Sequence, residues 1–312
     1  MIRIGFFGTP ELSARVLQNF LDSPGYEVVF VVTGEDKPIG RHQTLTANPV
    51  KTLALGKNFP ILQPARIRGN TDFLETVASY GVDYFVVVAY GKILPQELLE
   101  LAKQYPINIH GSILPKYRGA SPIQAALIAW EKETWVTIMV MNEKMDEGDT
   151  IDTKLIQISV NETTETLFEK FAEISGNFAI QTIQKLKTWD LVPSIQNESH
   201  ATYCKKITKE EWLLDFTKSA EELYHLYQGL TPWPGVYTHF KWKKLIIEKC
   251  FYIETVEIHQ AVGTVIQLED NTVWVICGKW LLTLSQVKLE WKKSQHIKEF
   301  LNGQRDFIGS VL

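Results

Sequence analysis

Hydrophobic positions along the first two thirds of the chain alternate between two rhythms. Ile2–Phe7, Tyr26–Val32 and Asp83–Ala89 are short, almost wholly apolar runs, as expected for parallel strands buried on both faces. Between the first two, Leu12, Val16, Leu17 and Phe20 recur at helical spacing; Thr9 can cap that helix and Pro10 suits its first position. Val50–Leu55, Asp72–Tyr80, Ile123–Trp130 and Thr164–Leu186 also read as helices, and Ile61-Leu62, Trp135–Met141 and Leu155–Val160 as strands. Strands alternating with helices predict an α/β domain. Gly34–Pro49 has no sustained period and contains Pro38, Gly40 and Asn48, which predicts a surface loop long enough to be functional.

The pattern changes after residue 188. Trp189–Thr202 contains Pro193, several polar residues and no periodicity, so 1–188 is expected to form one domain, 189–204 a linker and 205–312 a second domain. Trp212–Tyr227 is expected to be helical. Val236–Leu284 is a series of short β-rich runs, with clear alternation in Thr272-Val273-Trp274-Val275-Ile276; many short strands predict a small barrel or sandwich.

Candidate chemistry concentrates between Tyr105 and Gln124. Ile107, Asn108, Ile109 and His110 alternate apolar and polar side chains, which places Asn108 and His110 on one face of a strand, about 7 Å apart. Gly111 lets the chain turn, Pro115 and Gly119 punctuate a loop, and Pro122 opens a helix. The C-terminal end of a buried strand is where open α/β sheets bind ligands. Taken alone, Asn-x-His more often marks two core residues that satisfy loop backbone than a site. Gly5-x-x-Gly8 after the first strand lacks the full G-x-G-x-x-G fingerprint, so no dinucleotide site is expected.

With 312 residues, 45% hydrophobic and 22% charged, the composition is that of a soluble globular protein with core for two domains. No apolar run approaches the roughly 20 residues of a membrane span, and Met1–Phe7 is too short for a signal-peptide core. Cys204, Cys250 and Cys277 show no metal or disulfide spacing. A cytoplasmic protein without a metal is expected. The net charge of −4 carries no bulk basic footprint.

One ordered string narrows the function. Asn108-Ile109-His110-Gly111-Ser112-Ile113-Leu114-Pro115-Lys116-Tyr117-Arg118-Gly119-Ala120, followed by Met145-Asp146-Glu147-Gly148-Asp149, closely resembles the signature of the folate-dependent formyltransferases. Members of that family formylate methionyl-tRNA, glycinamide ribonucleotide or nucleotide-sugar amines, or hydrolyse formyltetrahydrofolate. The resemblance implies a Rossmann-like formyl-transfer domain with a mostly parallel sheet, followed by a smaller OB-like barrel. It implies 10-formyltetrahydrofolate as co-substrate and Asn108, His110 and Asp146 as the catalytic residues, with Asp149 structural. Tyr90, Gly91 and Leu94 match the loop whose backbone contacts the pterin ring, and Ser112, Ile113, Leu114 and Pro115 fall in the signature itself and are expected to contact folate.

Formyl transfer to an amine passes through a tetrahedral oxyanion. Asn108 suits the donor to that oxygen, His110 the proton relay, and a carboxylate beside His110 would favour the charged imidazole.

The members acting on initiator methionyl-tRNA carry an inserted loop, Pro-Asp-Arg-Pro-x-Gly-Arg-Gly-Lys-Lys. Here it reads Glu35-Asp36-Lys37-Pro38-Ile39-Gly40-Arg41-His42-Gln43-Thr44, retaining Arg41 and losing Gly-Lys-Lys. Glu210, Asp215, Thr231-Pro232-Trp233-Pro234-Gly235 and Phe300-Leu301-Asn302-Gly303 also match those members, so methionyl-tRNA is the expected partner of a monomer. Its contacts must then come from local cations: Arg41 toward the acceptor end, and Lys205, Lys206, Lys209, Lys243 and Lys244 along the backbone. A nucleotide-sugar amine N-formyltransferase, a hydrolase, or a non-catalytic folate- or nucleic-acid-binding module are the alternatives.

Overall fold

The computed structural model describes every residue apart from 40–42, 209–211 and 255–259. Arg41, His42, Lys209 and Glu210 therefore lie outside the described residues. The chain divides into two compact units, one of residues 1–122, 133–157 and 168–205, the other of 123–132, 158–167 and 206–312.

In the first unit seven strands form one sheet, in the order Thr150–Gln157, Glu133–Val140, Tyr105–His110, Tyr84–Val88, Ile2–Gly8, Tyr26–Val32, Ile61–Leu62. The five from Tyr105–His110 onward are parallel neighbours, and the other two join antiparallel. The parallel strands are those the apolar runs predict, and the whole is the mostly parallel, Rossmann-like sheet that the family resemblance implies. Tyr84–Val88 is buried at every position, which explains its lack of alternation. Phe7 packs edge-on against Phe85, ring centroids 5.1 Å apart. The glycines of the first strand serve this packing. A Cβ on Gly5 would stand 2.5 Å from the Phe30 ring, and one on Gly8 2.5 Å from Ser13 Cβ. Ser13 Oγ in turn donates to the Val88 carbonyl at 2.6 Å. The strand order reverses between Ile2–Gly8 and Tyr84–Val88, a point that favours ligand sites at the carboxyl ends; Tyr105–His110 is the next strand over.

Several elements differ from the sequence expectation for local reasons. The first helix, Glu11–Asp22, begins after Pro10 with no side-chain cap; Thr9 Oγ1 instead accepts from the Gly34 amide at 3.2 Å. The stretch read as a loop contains a short antiparallel ladder of Lys37–Ile39 with Thr44–Thr46. Beneath it, Lys51 Nζ meets Asp36 Oδ2 at 2.7 Å and Gln63 Nε2 donates to Asp36 Oδ1 at 3.0 Å. The strand expected at Leu155–Val160 runs from Thr150 to Gln157.

In the second unit an antiparallel sheet runs Val236–Phe240, Lys243–Ile253, Leu281–Leu289, Val273–Ile276, Val265–Gln267, with Gln295–His296 also pairing to Leu281–Leu289. It curls into a half-barrel around Val236, Leu245, Val265, Val273, Leu282 and Val287, all fully buried. The helix expected from Trp212 begins only at Ala220. Leu214 N donates to Tyr237 O at 2.8 Å and Tyr237 N to Trp212 O at 3.0 Å, so residues 212–214 extend along the sheet instead. Asp215 then folds a turn by accepting from the Thr217 amide at 3.1 Å, and Ser219 and Glu222 close a reciprocal capping box.

Five of the nine tryptophans, Trp130, Trp189, Trp242, Trp280 and Trp291, have positive φ, between 58° and 69°. Trp189, Trp242 and Trp291 are at least 80% exposed.

Candidate active site

Asn108 and His110 lie at the carboxyl end of their strand, in register with Val87 on one side and with Met139 and Thr137 on the other. The Asn108 side chain is half-buried, and no hydrogen bond engages it among the described residues. Its carboxamide therefore keeps its donors available. His110 is 5% exposed. Its Nε2 lies 3.0 Å from the Tyr117 carbonyl, and because a carbonyl only accepts, Nε2 carries the proton. Nδ1 then faces Asp146 Oδ2 at 3.7 Å, beyond hydrogen-bonding distance. In the neutral ring this nitrogen offers a lone pair beside a carboxylate, the arrangement of a proton acceptor whose charged form meets an opposite charge.

Asp146 is held by backbone. Its Oδ2 accepts from the Gly119 amide at 2.7 Å. Tyr117 (φ 59°) and Asp146 (φ 56°) are non-glycine residues at positive φ, a strain that persists only where surroundings enforce it; Gly119 between them, at φ 119°, takes a conformation open to glycine. Arg118–Gly119 pairs in parallel with Tyr203–Cys204. A Cβ on Gly119 would run into the Cys204 carbonyl oxygen, and one on Gly148 into that of Val140. Asp149 contributes through its backbone, its carbonyl accepting from Val140 N at 2.8 Å.

The aperiodic stretch after residue 188 belongs to this unit and bonds into the site. Gln196 Nε2 donates to the Asp146 and Gly148 carbonyls at 2.8 and 2.6 Å. Arg118 is fully buried and reaches Gln196 Oε1, both Glu198 carboxylate oxygens and the Tyr203 hydroxyl. The Arg118 guanidinium holds the Glu198 carboxyl below the usual glutamate range. Cys204 Sγ donates to the Arg118 carbonyl at 3.3 Å; burial, with a smaller effect from Asp146, pushes its thiol up. Arg118 is the one of these whose sequence context pointed to the site, since it lies inside the Asn108–Ala120 string.

The residues expected at a folate loop divide. Tyr90 is buried against Phe7, and its hydroxyl has no partner among the described residues; burial raises its pKa to about 12. Gly91 has φ 80° with nothing within 4 Å of a Cβ. Leu94 is buried in the core, leaving its backbone for contacts. Ser112 is fully buried, its Oγ donating to Lys116 O at 2.6 Å; Leu114 is buried, and Ile113 and Pro115 are half-buried. Lys205 is exposed in the first unit. In the second unit Lys206 and Lys243 are exposed, and Lys244 Nζ lies 3.8 Å from the Tyr237 ring centroid.

Two family profiles match the chain: one described as formyl transferase over residues 2–183, and one described as formyl transferase, C-terminal domain, over residues 206–305. The chain belongs to the formyltransferase family. Within it, a relative from Caldanaerobacter subterraneus subsp. tengcongensis, described as methionyl-tRNA formyltransferase, is 38% identical over 311 residues, covering 100% of both chains. Among solved structures, a methionyl-tRNA formyltransferase from Clostridium thermocellum shares the formyltransferase fold at TM-score 0.59 and 16% identity, covering 93% of this chain and 99% of that one. An N-formyltransferase from Helicobacter canadensis, in complex with folinic acid and dTDP-3-aminofucose, does so at TM-score 0.68 and 17% identity, covering 92% and 100%. Among the described residues of this formyltransferase no group of three or more His, Cys, Asp or Glu forms a metal set, and no helix is long and apolar enough to cross a membrane.

Proposed function

We propose that the protein transfers the formyl group of 10-formyltetrahydrofolate to the amino group of initiator methionyl-tRNA. The observation that carries this reading is end-to-end relatedness to proteins described as methionyl-tRNA formyltransferases, 38% identical over the whole length in one case. The site geometry supports the chemistry. The amine nitrogen attacks the formyl carbon, the carbonyl oxygen becomes an oxyanion, and the bond to the folate nitrogen breaks as that nitrogen takes up a proton. Asn108 donates to the oxyanion through its carboxamide. His110 accepts the amine proton at Nδ1, with Nε2 anchored on Tyr117 O, and Asp146 faces the imidazolium so formed. Tyr90, Gly91, Leu94 and Ser112–Pro115 hold the folate. Tyr90's buried hydroxyl, without a partner among the described residues, and the open space at Gly91 suit a polar ring approaching the backbone.

Lys205, Lys206, Lys243 and Lys244, with Arg41 and Lys209, contact tRNA phosphates, and the enzyme acts as a cytoplasmic monomer. The test offers the protein 10-formyltetrahydrofolate with either aminoacylated initiator tRNA or an amino-sugar nucleotide. Formylation of the sugar amine alone would overturn the reading, and so would no formylation at all. Replacing Lys243 and Lys244 with Ala should flatten the salt dependence of tRNA affinity by about one unit of log–log slope for each phosphate no longer engaged; an unchanged slope removes them from the interface.

A further inference from the structure

We propose that Gln196 is a positioning residue: its carboxamide, aimed by Arg118, fixes the turn at Asp146 so that the carboxylate stays opposite His110. The proposal rests on the part given above to Asp146.

Gln196 is 6% exposed. Its Oε1 accepts from Arg118 Nε at 3.1 Å and Nη2 at 2.9 Å, while Nε2 donates to Asp146 O at 2.8 Å and Gly148 O at 2.6 Å. A guanidinium only donates and a carbonyl only accepts, so the amide has one orientation that satisfies all four bonds. Arg118 is itself clamped by both Glu198 oxygens, at 2.7 and 2.9 Å, a bidentate pair with little angular freedom. The Tyr203 hydroxyl adds a third contact at 3.0 Å.

What this bridge holds is a turn in the left-handed region. Asp146 has φ 56°, uncommon for a residue with a Cβ. Gln196 grips the carbonyls on either side of Glu147, and the Gly119 amide, next to Arg118, grips the Asp146 carboxylate at 2.7 Å. One two-residue segment, Arg118-Gly119, thus locates Asp146 twice: directly at the carboxylate, and through Gln196 at the backbone. The 3.7 Å separation from His110 Nδ1 follows from both anchors.

The test compares Gln196→Glu in the wild-type and Asp146→Asn backgrounds. Glutamate keeps the shape and the acceptor for Arg118 but cannot donate to the two carbonyls. Turnover, KM for 10-formyltetrahydrofolate and thermal stability are measured for all four proteins. Gln196→Glu alone should lower kcat by about 10²-fold, the scale of a small misplacement, with KM for folate within about twofold. In the Asp146→Asn background its further effect should fall below about threefold, because residues acting as a unit are not additive. An equal fold-loss in both backgrounds overturns the proposal, since Gln196 then supports the fold without acting through Asp146. Wild-type kcat in Gln196→Glu beside an impaired Asp146→Asn overturns the positioning role alone. An unimpaired Asp146→Asn overturns the role of Asp146 and the proposal with it. If Gln196→Glu does not fold, Glu198→Gln, on the exposed side of Arg118, takes its place. A smaller kcat loss confined to the Asp146 background supports the proposal, and a loss additive with Asp146→Asn overturns it.

Discussion

Gly119→Ala tests the least forgiving contact around Asp146. Gly119 stands at φ 119°, outside the range a side-chain-bearing residue adopts without strain, which costs about 1–3 kcal/mol. Its new methyl would meet the Cys204 carbonyl oxygen, with the carbonyl carbon at 3.3 Å and Sγ at 3.5 Å. The obstacle is paired backbone, so the Tyr203–Cys204 segment must move; overpacking of this kind costs a further ~1–3 kcal/mol. The expected loss is about 2–6 kcal/mol, a large share of a stability on the order of 5–15 kcal/mol. Any shift also draws the Gly119 amide from the Asp146 carboxylate, 2.7 Å away, so turnover of the folded protein should fall at least about tenfold, a displacement effect. Gly25→Ala is the control. It also has positive φ, 92°, but nothing lies within 4 Å of its Cβ, so it carries the conformational cost alone, about 1–2 kcal/mol. Urea unfolding and turnover are measured for both. Equal stability losses with wild-type turnover in Gly119→Ala would refute the claim that the two short strands and Asp146 form one rigid assembly.

Asn108→Ala should keep the fold and folate affinity while lowering turnover by about 10²–10³, the loss of one oxyanion donor; near wild-type turnover in a folded variant removes Asn108 from the mechanism. His110→Ala should lower turnover by about 10²–10⁴, read in the same assay, and an unaffected rate would exclude it as the proton acceptor. Burial and Asp146 both disfavour the Cys204 thiolate, so at pH 8 Cys204 should alkylate more slowly than a free thiol. The rate should climb only at more alkaline pH, because the raised pKa moves ionisation upward. Alkylation as fast as a free thiol, followed by peptide mass analysis, would contradict the buried placement.

The parts of the molecule readable from sequence are those whose cause is local. Tyr84–Val88 announces itself because a parallel strand buried on both faces must be continuously apolar. Asn108 and His110 share a face because a strand repeats every two residues. The bonds around Asp146 have no such signature: Arg118 and Gln196 are separated by 78 positions, and Gln196 sits in a stretch without period. The helix placed at Trp212 failed for a related reason. Its apolar spacing is real, yet residues 212–214 bond to Tyr237, and the competing partner is visible only in three dimensions. Gly5 and Gly8 show the converse, a motif-like spacing whose cause is the volume of Phe30 and the closeness of Ser13.

The five tryptophans at positive φ carry a consequence for the mutational neighbourhood of the chain. At Trp189, Trp242 and Trp291 the ring is at least 80% exposed, so there is little packing to lose, while the left-handed backbone costs about 1–2 kcal/mol relative to glycine. Glycine's greater freedom in the unfolded chain returns roughly 0.5–1 kcal/mol of that. Trp→Gly, ordinarily among the most damaging exchanges, should here raise stability by up to about 1 kcal/mol per site, or roughly 2–4 °C in Tm for a protein of this class; a lower Tm in all three variants would show that the rings do contribute. In codon terms TGG and GGG differ at one base, so a single transversion separates each of these surface turns from the residue its backbone favours.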